Sequence, residues 1–208
     1  MTPAVGFDLD MTLIDSRPGI REAYRALTAK TGVWVDADLA VTRLGPPLRT
    51  ELGEWFPPDQ VEEAVTTYRA LYPDYAIAPT VATVGAIEAL AAVREQGLRV
   101  VVVTSKLGRL AALHLEHLGM TADELAGDLF AEGKAAALTE HGVRWYVGDH
   151  VADMVAARTA GIPGIGVATG PCDEDQLRDA GASHLMSDLT AFPALLRKIA
   201  VGCGSAAG

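Results

Sequence analysis

Two pairs of aspartates have spacing that suits chemistry: Asp8 and Asp10 in Phe-Asp-Leu-Asp-Met-Thr, and Asp149 and Asp153 in Gly-Asp-His-Val-Ala-Asp. Two carboxylates around one reacting centre can divide a phosphoryl transfer between them. One attacks phosphorus and becomes an acyl phosphate. The other protonates the leaving oxygen and then activates water. Asp8 and Asp10 would share a face within a strict strand, but they can diverge where a strand ends. Asp149 and Asp153 are spaced i, i+4, which puts both on one face at the start of a helix, where the backbone favours anions. Each pair alone is also an ordinary structural feature: a turn in the first case, a cap with a first-turn acid in the second. Brought together, four carboxylates repel one another and raise their own pKa values. A hard divalent cation with oxygen ligands resolves that conflict, and Mg2+ is the usual choice where phosphate is another ligand.

A phosphate also calls for a cation. The lysines are Lys30, Lys106, Lys134 and Lys198. Lys134, at the start of a helical segment in Glu-Gly-Lys-Ala, can reach a phosphate as a point charge. Lys106, which follows Thr104 and Ser105, is its rival, but its side chain is expected to leave the pocket. Thr12 offers a further hydroxyl beside the first aspartates.

Strands and helices must bring these groups together. Residues 5–9 read as a short buried strand. Ile20, Ala23, Tyr24 and Leu27 fall at helical spacing, with Ser16 and Pro18 as start signals and Gly32 as a stop. Helix-like pieces continue over 33–78, broken by Gly45-Pro46-Pro47 and by Pro57-Pro58. Residues 16–78 therefore read as a small all-helical unit inserted after the first strand. From residue 79 onward helices and strands alternate. Strands are expected at 98–103, 143–147 and 164–168, and helices around Leu90, Leu110, 151–160 and 174–180. Leu185 and a last helix to about Ile199 follow. This pattern means an α/β core (1–15 and 79–201) with a Rossmann-like, mostly parallel sheet. Ligands of such sheets bind at the carboxyl ends of the strands, where Asp8, Thr104 and Asp149 fall. Residues 202–208 read as a flexible tail.

Half of the 208 residues are apolar, enough for a packed core. Seventeen basic against 27 acidic residues give a net charge of −10, which argues against a nucleic-acid binder and against an anionic membrane surface. It leaves room for a small anionic substrate, because a few placed cations and a metal reverse the local sign. Cys172 and Cys203 lack metal-ligand spacing and read as free thiols of a reducing, cytoplasmic setting. Asp8 and Asp10 interrupt any N-terminal apolar run before it could serve as a signal peptide. Oligomeric state is not readable.

With these residues in place, the sequence resembles the haloacid dehalogenase superfamily. Residues 7–16 are similar to its first motif, Asp-x-Asp-Gly-Thr-Leu-x-Asp-Ser. Residues 101–106 are similar to the second, an apolar strand ending in Thr or Ser. Gly133-Lys134 matches the third, and residues 146–161 match the fourth, Gly-Asp-x-x-x-Asp with an Ala-Gly ending. The helical insertion resembles the cap of the phosphoglycolate phosphatase-like branch, and residues 44–48 (Leu-Gly-Pro-Pro-Leu) resemble its substrate-facing loop.

The resemblance implies Asp8 as nucleophile and Mg2+ ligand, and Asp10 as general acid/base that ligates the metal through its backbone carbonyl. Thr104 and Lys134 would hold the phosphoryl group. Asp149 would ligate Mg2+, with Asp153 at or just behind the metal shell. The substrate would be a small phosphorylated metabolite, with Arg43, Gly45 and Arg49 as cap contacts. Met11, Ser105, Ala135 and His150 depart from the family's usual Gly, Asn, Pro and Ser or Thr, and none removes a catalytic group. A sugar phosphomutase and a non-catalytic binding module are the alternatives. The dehalogenases usually lack an equivalent of Asp10, and the phosphonate-cleaving members use a cap lysine, for which the insertion offers only Lys30. Cap hinges are expected near Asp15–Ser16 and at 78–80.

Overall fold

The structure, a computed structural model, describes residues 2–130 and 132–204. Its centre is a six-stranded parallel sheet in the order β5-β4-β1-β6-β7-β8. The strands are β1 (Ala4–Phe7), β4 (Arg99–Val103), β5 (Glu124–Ala126), β6 (Val143–Gly148), β7 (Gly164–Val167) and β8 (Ala182–Met186). Two short strands, β2 (Ile14–Asp15) and β3 (Val81–Ala82), pair antiparallel apart from the sheet. The helices are α1 (Arg17–Thr31), α2 (Ala37–Ala40), α3 (Leu48–Leu52), α4 (Val61–Ala76), α5 (Ala86–Glu95), α6 (Gly108–His117), α7 (Glu132–Glu140), α8 (Val151–Thr159), α9 (Glu174–Asp179) and α10 (Phe192–Gly204).

The β4 sequence Arg-Val-Val-Val-Val has no polar alternation because helices cover both faces of the sheet. Val100 and Val102 turn to one face and pack with Phe7, Leu90, Phe192 and Leu196. Val101 and Val103 turn to the other and meet Leu138, Tyr146 and Ala157. Both clusters are buried, so the sheet has an apolar layer on each face.

Helices α1 and α4 form a separate apolar cluster, in which Ile20, Tyr24 and Leu27 meet Val65, Tyr68, Tyr72 and Ala76. Leu110 of α6 joins that cluster from the sheet side, so it seats on the core. The β2–β3 pair clamps together the two chain segments that connect the helical unit to the sheet.

Several elements differ from the sequence reading. The first strand ends at Phe7 rather than Leu9, because the chain turns sharply at Asp8. β5 was not foreseen, and Leu185 proves to lie in an edge strand. Both lie at the sheet edges and are half-exposed, and β5 has only three residues, so neither shows the solid apolar run of a central strand. The last helix continues past Ile199 to Gly204, which shortens the expected tail. Its remaining residues, 205–208, lie outside the described residues.

Candidate active site

The carboxyl ends of β1, β4 and β6 lie side by side, with Phe7 paired to Val102 and to Val147. The chain runs outward from β1 in both directions, so this edge is the switch point of the sheet, where loops part and leave a crevice. Asp8, Thr104 and Asp149 are the first residues past these three strands.

The Asp8 N–H donates to the Val147 carbonyl at 2.8 Å, which pins the start of the turn to β6. The N–H groups of Thr12, Leu13 and Ile14 then converge on the Leu9 carbonyl. Met11 stands at the apex with φ +61°, the left-handed region that glycine occupies at least cost. This explains the family's glycine at the position. The turn sends Asp8 and Asp10 in different directions. Asp8 accepts from Lys134 Nζ at 2.9 Å, whereas Asp10 accepts from the Ser16 hydroxyl and lies 3.1 Å from Lys106 Nζ.

Asp149 precedes α8, whose N-cap is His150, so it is not on the helix as its spacing suggested. Asp153 is the third residue of that helix and accepts the His150 N–H at 3.2 Å, completing a capping box. The cap function and the acidic cluster thus coexist in one turn. Thr12 Oγ1 donates to Asp149 at 2.7 Å. A Cβ at Gly170 would overlap the Asp149 carboxylate, so only glycine allows that approach.

Carboxylate oxygens of Asp8, Asp149 and Asp153 lie within 4.8 Å of one another, and all three residues are buried. Lys134, in the first turn of α7, contacts Asp8 and, at 2.7 Å, Asp153. One ammonium against three carboxylates leaves the cluster short of positive charge. Burial, with the Asp153 and Asp10 charges added, pushes the Asp8 carboxyl up to about 7 despite Lys134. Burial and the charges of Asp8 and Asp153 push Asp149 up as well. The cluster is therefore chemically suited to a hard cation, which would supply the missing charge to buried oxygen donors. Asp10 behaves in the opposite way. Burial alone would raise its pKa, but the Lys106 charge and the Ser16 hydrogen bond outweigh it and hold it below the usual carboxylate value.

Thr104 is buried, and its hydroxyl accepts the Lys106 N–H at 3.2 Å. Among the described residues it has no hydrogen bond to the acidic cluster. Lys106 corrects the sequence reading: its side chain enters the pocket. Its Nζ sits between Asp10 and the Tyr72 hydroxyl, 2.6 Å from the latter and 4.6 Å from the centre of that ring. The local sequence carries no signal for this, because Tyr72 comes from the helical insertion and reads there as an ordinary core residue. Ser16 was also missed as a partner of Asp10, since its place before α1 reads as a helix start.

A cavity of about 360 Å³ opens in front of Asp8, Asp10 and Asp149, between the sheet edge and the helical unit. Arg43, Gly45 and Arg49 line it. Arg43 pairs with Glu51 at 2.6 Å and lies 5.6 Å from the Trp55 ring centre, and Arg49 pairs with Glu62. Gly45, at φ +127°, approaches the His150 ring so closely that a Cβ would lie 2.9 Å from it. Its carbonyl also accepts from Ser105 Oγ at 3.4 Å.

Behind Lys106, the buried His114 ring contacts the Tyr72 hydroxyl through Nε2 at 3.0 Å, and its Nδ1 has no partner. Burial, then the Lys106 charge, lowers its pKa to about 4. The folded-state value lies below the unfolded one, so this group's contribution to stability is complete above about pH 6.5 and is lost as pH falls towards 4. The expected loss over that window is at most about 3 kcal/mol. Urea unfolding in chelator at pH 7 and pH 4.5 tests it: the wild type should lose more stability than His114→Phe across this interval.

These features define an α/β fold with an acidic centre at the switch point of a parallel sheet and a helical unit packed beside it. A family model for haloacid dehalogenase-like hydrolases matches residues 5–158, and a second, HAD-hydrolase-like model matches 127–192. The chain is 30% identical to a phosphoglycolate phosphatase of Agrobacterium fabrum over 100% of its own length and 97% of that protein. It is 31% identical to a 5'-nucleotidase of Pseudomonas aeruginosa, over 93% of this chain and 95% of that one. A haloacid dehalogenase-like family hydrolase from Streptococcus pneumoniae superposes with a TM-score of 0.79 at 24% identity, covering 96% of this chain and 98% of the other. The chain belongs to the haloacid dehalogenase-like hydrolase family, and it is a phosphatase-type member of it.

Proposed function

We propose that the protein is a Mg2+-dependent phosphatase that hydrolyses a small phosphomonoester through a phospho-aspartyl intermediate on Asp8. The reading is carried by the buried Asp8–Asp149–Asp153 cluster at the floor of the cavity, with one lysine for three carboxylates. In this reading Asp8, Asp149 and Asp153, with the Asp10 backbone, hold the metal. Mg2+ would keep the carboxylates ionised and neutralise charge on the transferring phosphoryl group. An Asp8 oxygen attacks phosphorus, and the ester P–O bond breaks with its electron pair going to the leaving oxygen. Asp10 gives that oxygen a proton and, now a carboxylate, takes one from the water that attacks the phospho-aspartate. Phosphate leaves and Asp8 is regenerated. The Lys106 and Ser16 contacts favour the carboxylate of Asp10, the form the second step requires; the proton for the first step enters with a monoanionic phosphoester, which passes it to Asp10 before the ester bond breaks. Lys134 and Thr104 hold the phosphoryl oxygens.

We also assign residues 16–78 as a cap on the core of 1–15 and 79–201, with Arg43, Gly45 and Arg49 on its substrate side. A reducing, cytoplasmic setting fits the buried free thiol of Cys172. Among the described residues no helix is long and apolar enough to cross a membrane.

The test is linkage to the metal. At about 100-fold above its Kd, Mg2+ is expected to raise the melting temperature by roughly 5–10 °C. It should also switch on phosphate release that chelator abolishes. In Asp149→Asn both effects should shrink together. Full turnover in chelator would overturn the metal-dependent reading.

A further inference from the structure

The wall of the cavity away from the aspartates is apolar and aromatic. Ile20 and Tyr24 of α1, Val65 and Tyr68 of α4 and Leu110 of α6 line it, and all five are buried. The Tyr24 and Tyr68 rings lie 4.8 Å apart. These two residues are only 3% and 4% exposed, and neither hydroxyl makes a hydrogen bond among the described residues, yet neither is a fully buried unpartnered atom, so both keep contact with the cavity they line. A tyrosine hydroxyl takes a partner when it is covered, so each is available to a group that fills the cavity. The Tyr72 hydroxyl on α4 is already engaged, with Lys106 and His114. Burial keeps the Tyr24 and Tyr68 hydroxyls protonated, so each can donate as well as accept.

The charged lining points the same way. The cations that line the cavity are Lys106, Arg43, Arg49 and Arg69, and each faces a carboxylate: Asp10, Glu51, Glu62 and Asp128 respectively. Arg43 keeps one unpartnered donor, Nε, but its charge is already shared with Glu51. A second anionic group on the substrate, beyond the phosphate, would enter a space lined by Asp10, Glu51 and Asp128, where each lining cation already stands beside a carboxylate. A cavity of this size holds more than a two-carbon fragment beside a phosphate.

We propose that the substrate's leaving group is an uncharged, partly apolar alcohol, whose own hydroxyl or carbonyl is read by Tyr24 and Tyr68. Its apolar body fills the wall, and the two hydroxyls gain the partners they lack. The inference rests on the phosphatase reading and narrows it.

The experiment is kcat/KM with Mg2+ for 4-(hydroxymethyl)phenyl phosphate, phenyl phosphate, 4-carboxyphenyl phosphate and phosphoglycolate, with the acyl phosphate acetyl phosphate as a small activated phosphoryl donor. The neutral hydroxymethyl ester should exceed both carboxylate-bearing esters by about tenfold or more. In Tyr24→Phe or Tyr68→Phe, the preference for the hydroxymethyl ester over phenyl phosphate should fall by about 3- to 10-fold. Both variants keep the ring, and a merely structural role would leave that ratio unmoved. Phosphoglycolate or the 4-carboxyphenyl ester as best substrate overturns the proposal while the phosphatase reading stands. An unchanged ratio in both variants overturns the role of the tyrosines. No release from any of the esters or from acetyl phosphate overturns the phosphatase reading, and the substrate class falls with it.

Discussion

Asp8→Asn is expected to reduce phosphate release by at least about 10⁴-fold while leaving the protein folded. The amide has the shape of the carboxylate but no anionic oxygen to attack phosphorus, so the covalent step disappears. The effect separates the nucleophile from its neighbours, because Asp149 and Asp153 stay in place to hold a metal. Folding should survive for an electrostatic reason. Asp8 is one of three buried carboxylates sharing Lys134, and its own pKa is pushed up to about 7. Removing its charge relieves repulsion on Asp149, so the chelated variant should melt no lower than the wild type. Phosphate release and a thermal scan on the same preparation check both halves. Activity above a few per cent of wild type in the variant would move the attack from Asp8 to water.

Lys134→Met should have the largest effect on stability. The ammonium is 4% exposed and lies 2.9 Å from Asp8 and 2.7 Å from Asp153. Removing it leaves three buried carboxylates with no cation beside them. Breaking a buried charge arrangement from one side costs about 3–5 kcal/mol, because the remaining charges stay desolvated. The pH dependence carries the mechanism. Carboxyls whose folded-state pKa is raised are least destabilising when protonated, so they cost stability as pH rises from the unfolded value, near 4, through the folded one. Without Lys134 those folded values rise further. The gap between variant and wild type should therefore be wide at pH 7.5, narrow towards pH 5, and shrink again when Mg2+ is added at pH 7.5. Urea unfolding under these three conditions measures it. A gap below about 1 kcal/mol that ignores pH and Mg2+ would mean that the cluster does not depend on this lysine. Turnover should fall as well, by about 10²- to 10³-fold, as expected when a charge that stabilises a transferring group is lost.

Much of this site was legible in the sequence because its chemistry is local. The turn after β1 packs Asp8, Asp10, Met11 and Thr12 into adjacent positions, and the capping box of α8 places Asp153 four residues after Asp149. The order of apolar runs and helix stops was enough to read the α/β core and the helical insertion, since strand and helix periods differ. Strands β5 and β8 escaped because half-exposed edge strands lack a solid apolar run. Where side chains meet across elements, residue types and spacing were silent. Lys106 follows a strand that ends at the pocket, but only the seating of α4 on α6 decides that its ammonium bridges Asp10 and Tyr72. The packing of α1 against α4 buries the Tyr24 and Tyr68 rings and sets both residues on the cavity wall, although their spacing reads as plain helix core. Sequence thus determined which residues carry the proposed chemistry, because that chemistry lies within single turns of chain. Tertiary structure decided which charges neutralise one another and what shape faces the phosphate, because both depend on distances between segments that meet only when the helical unit packs onto the sheet.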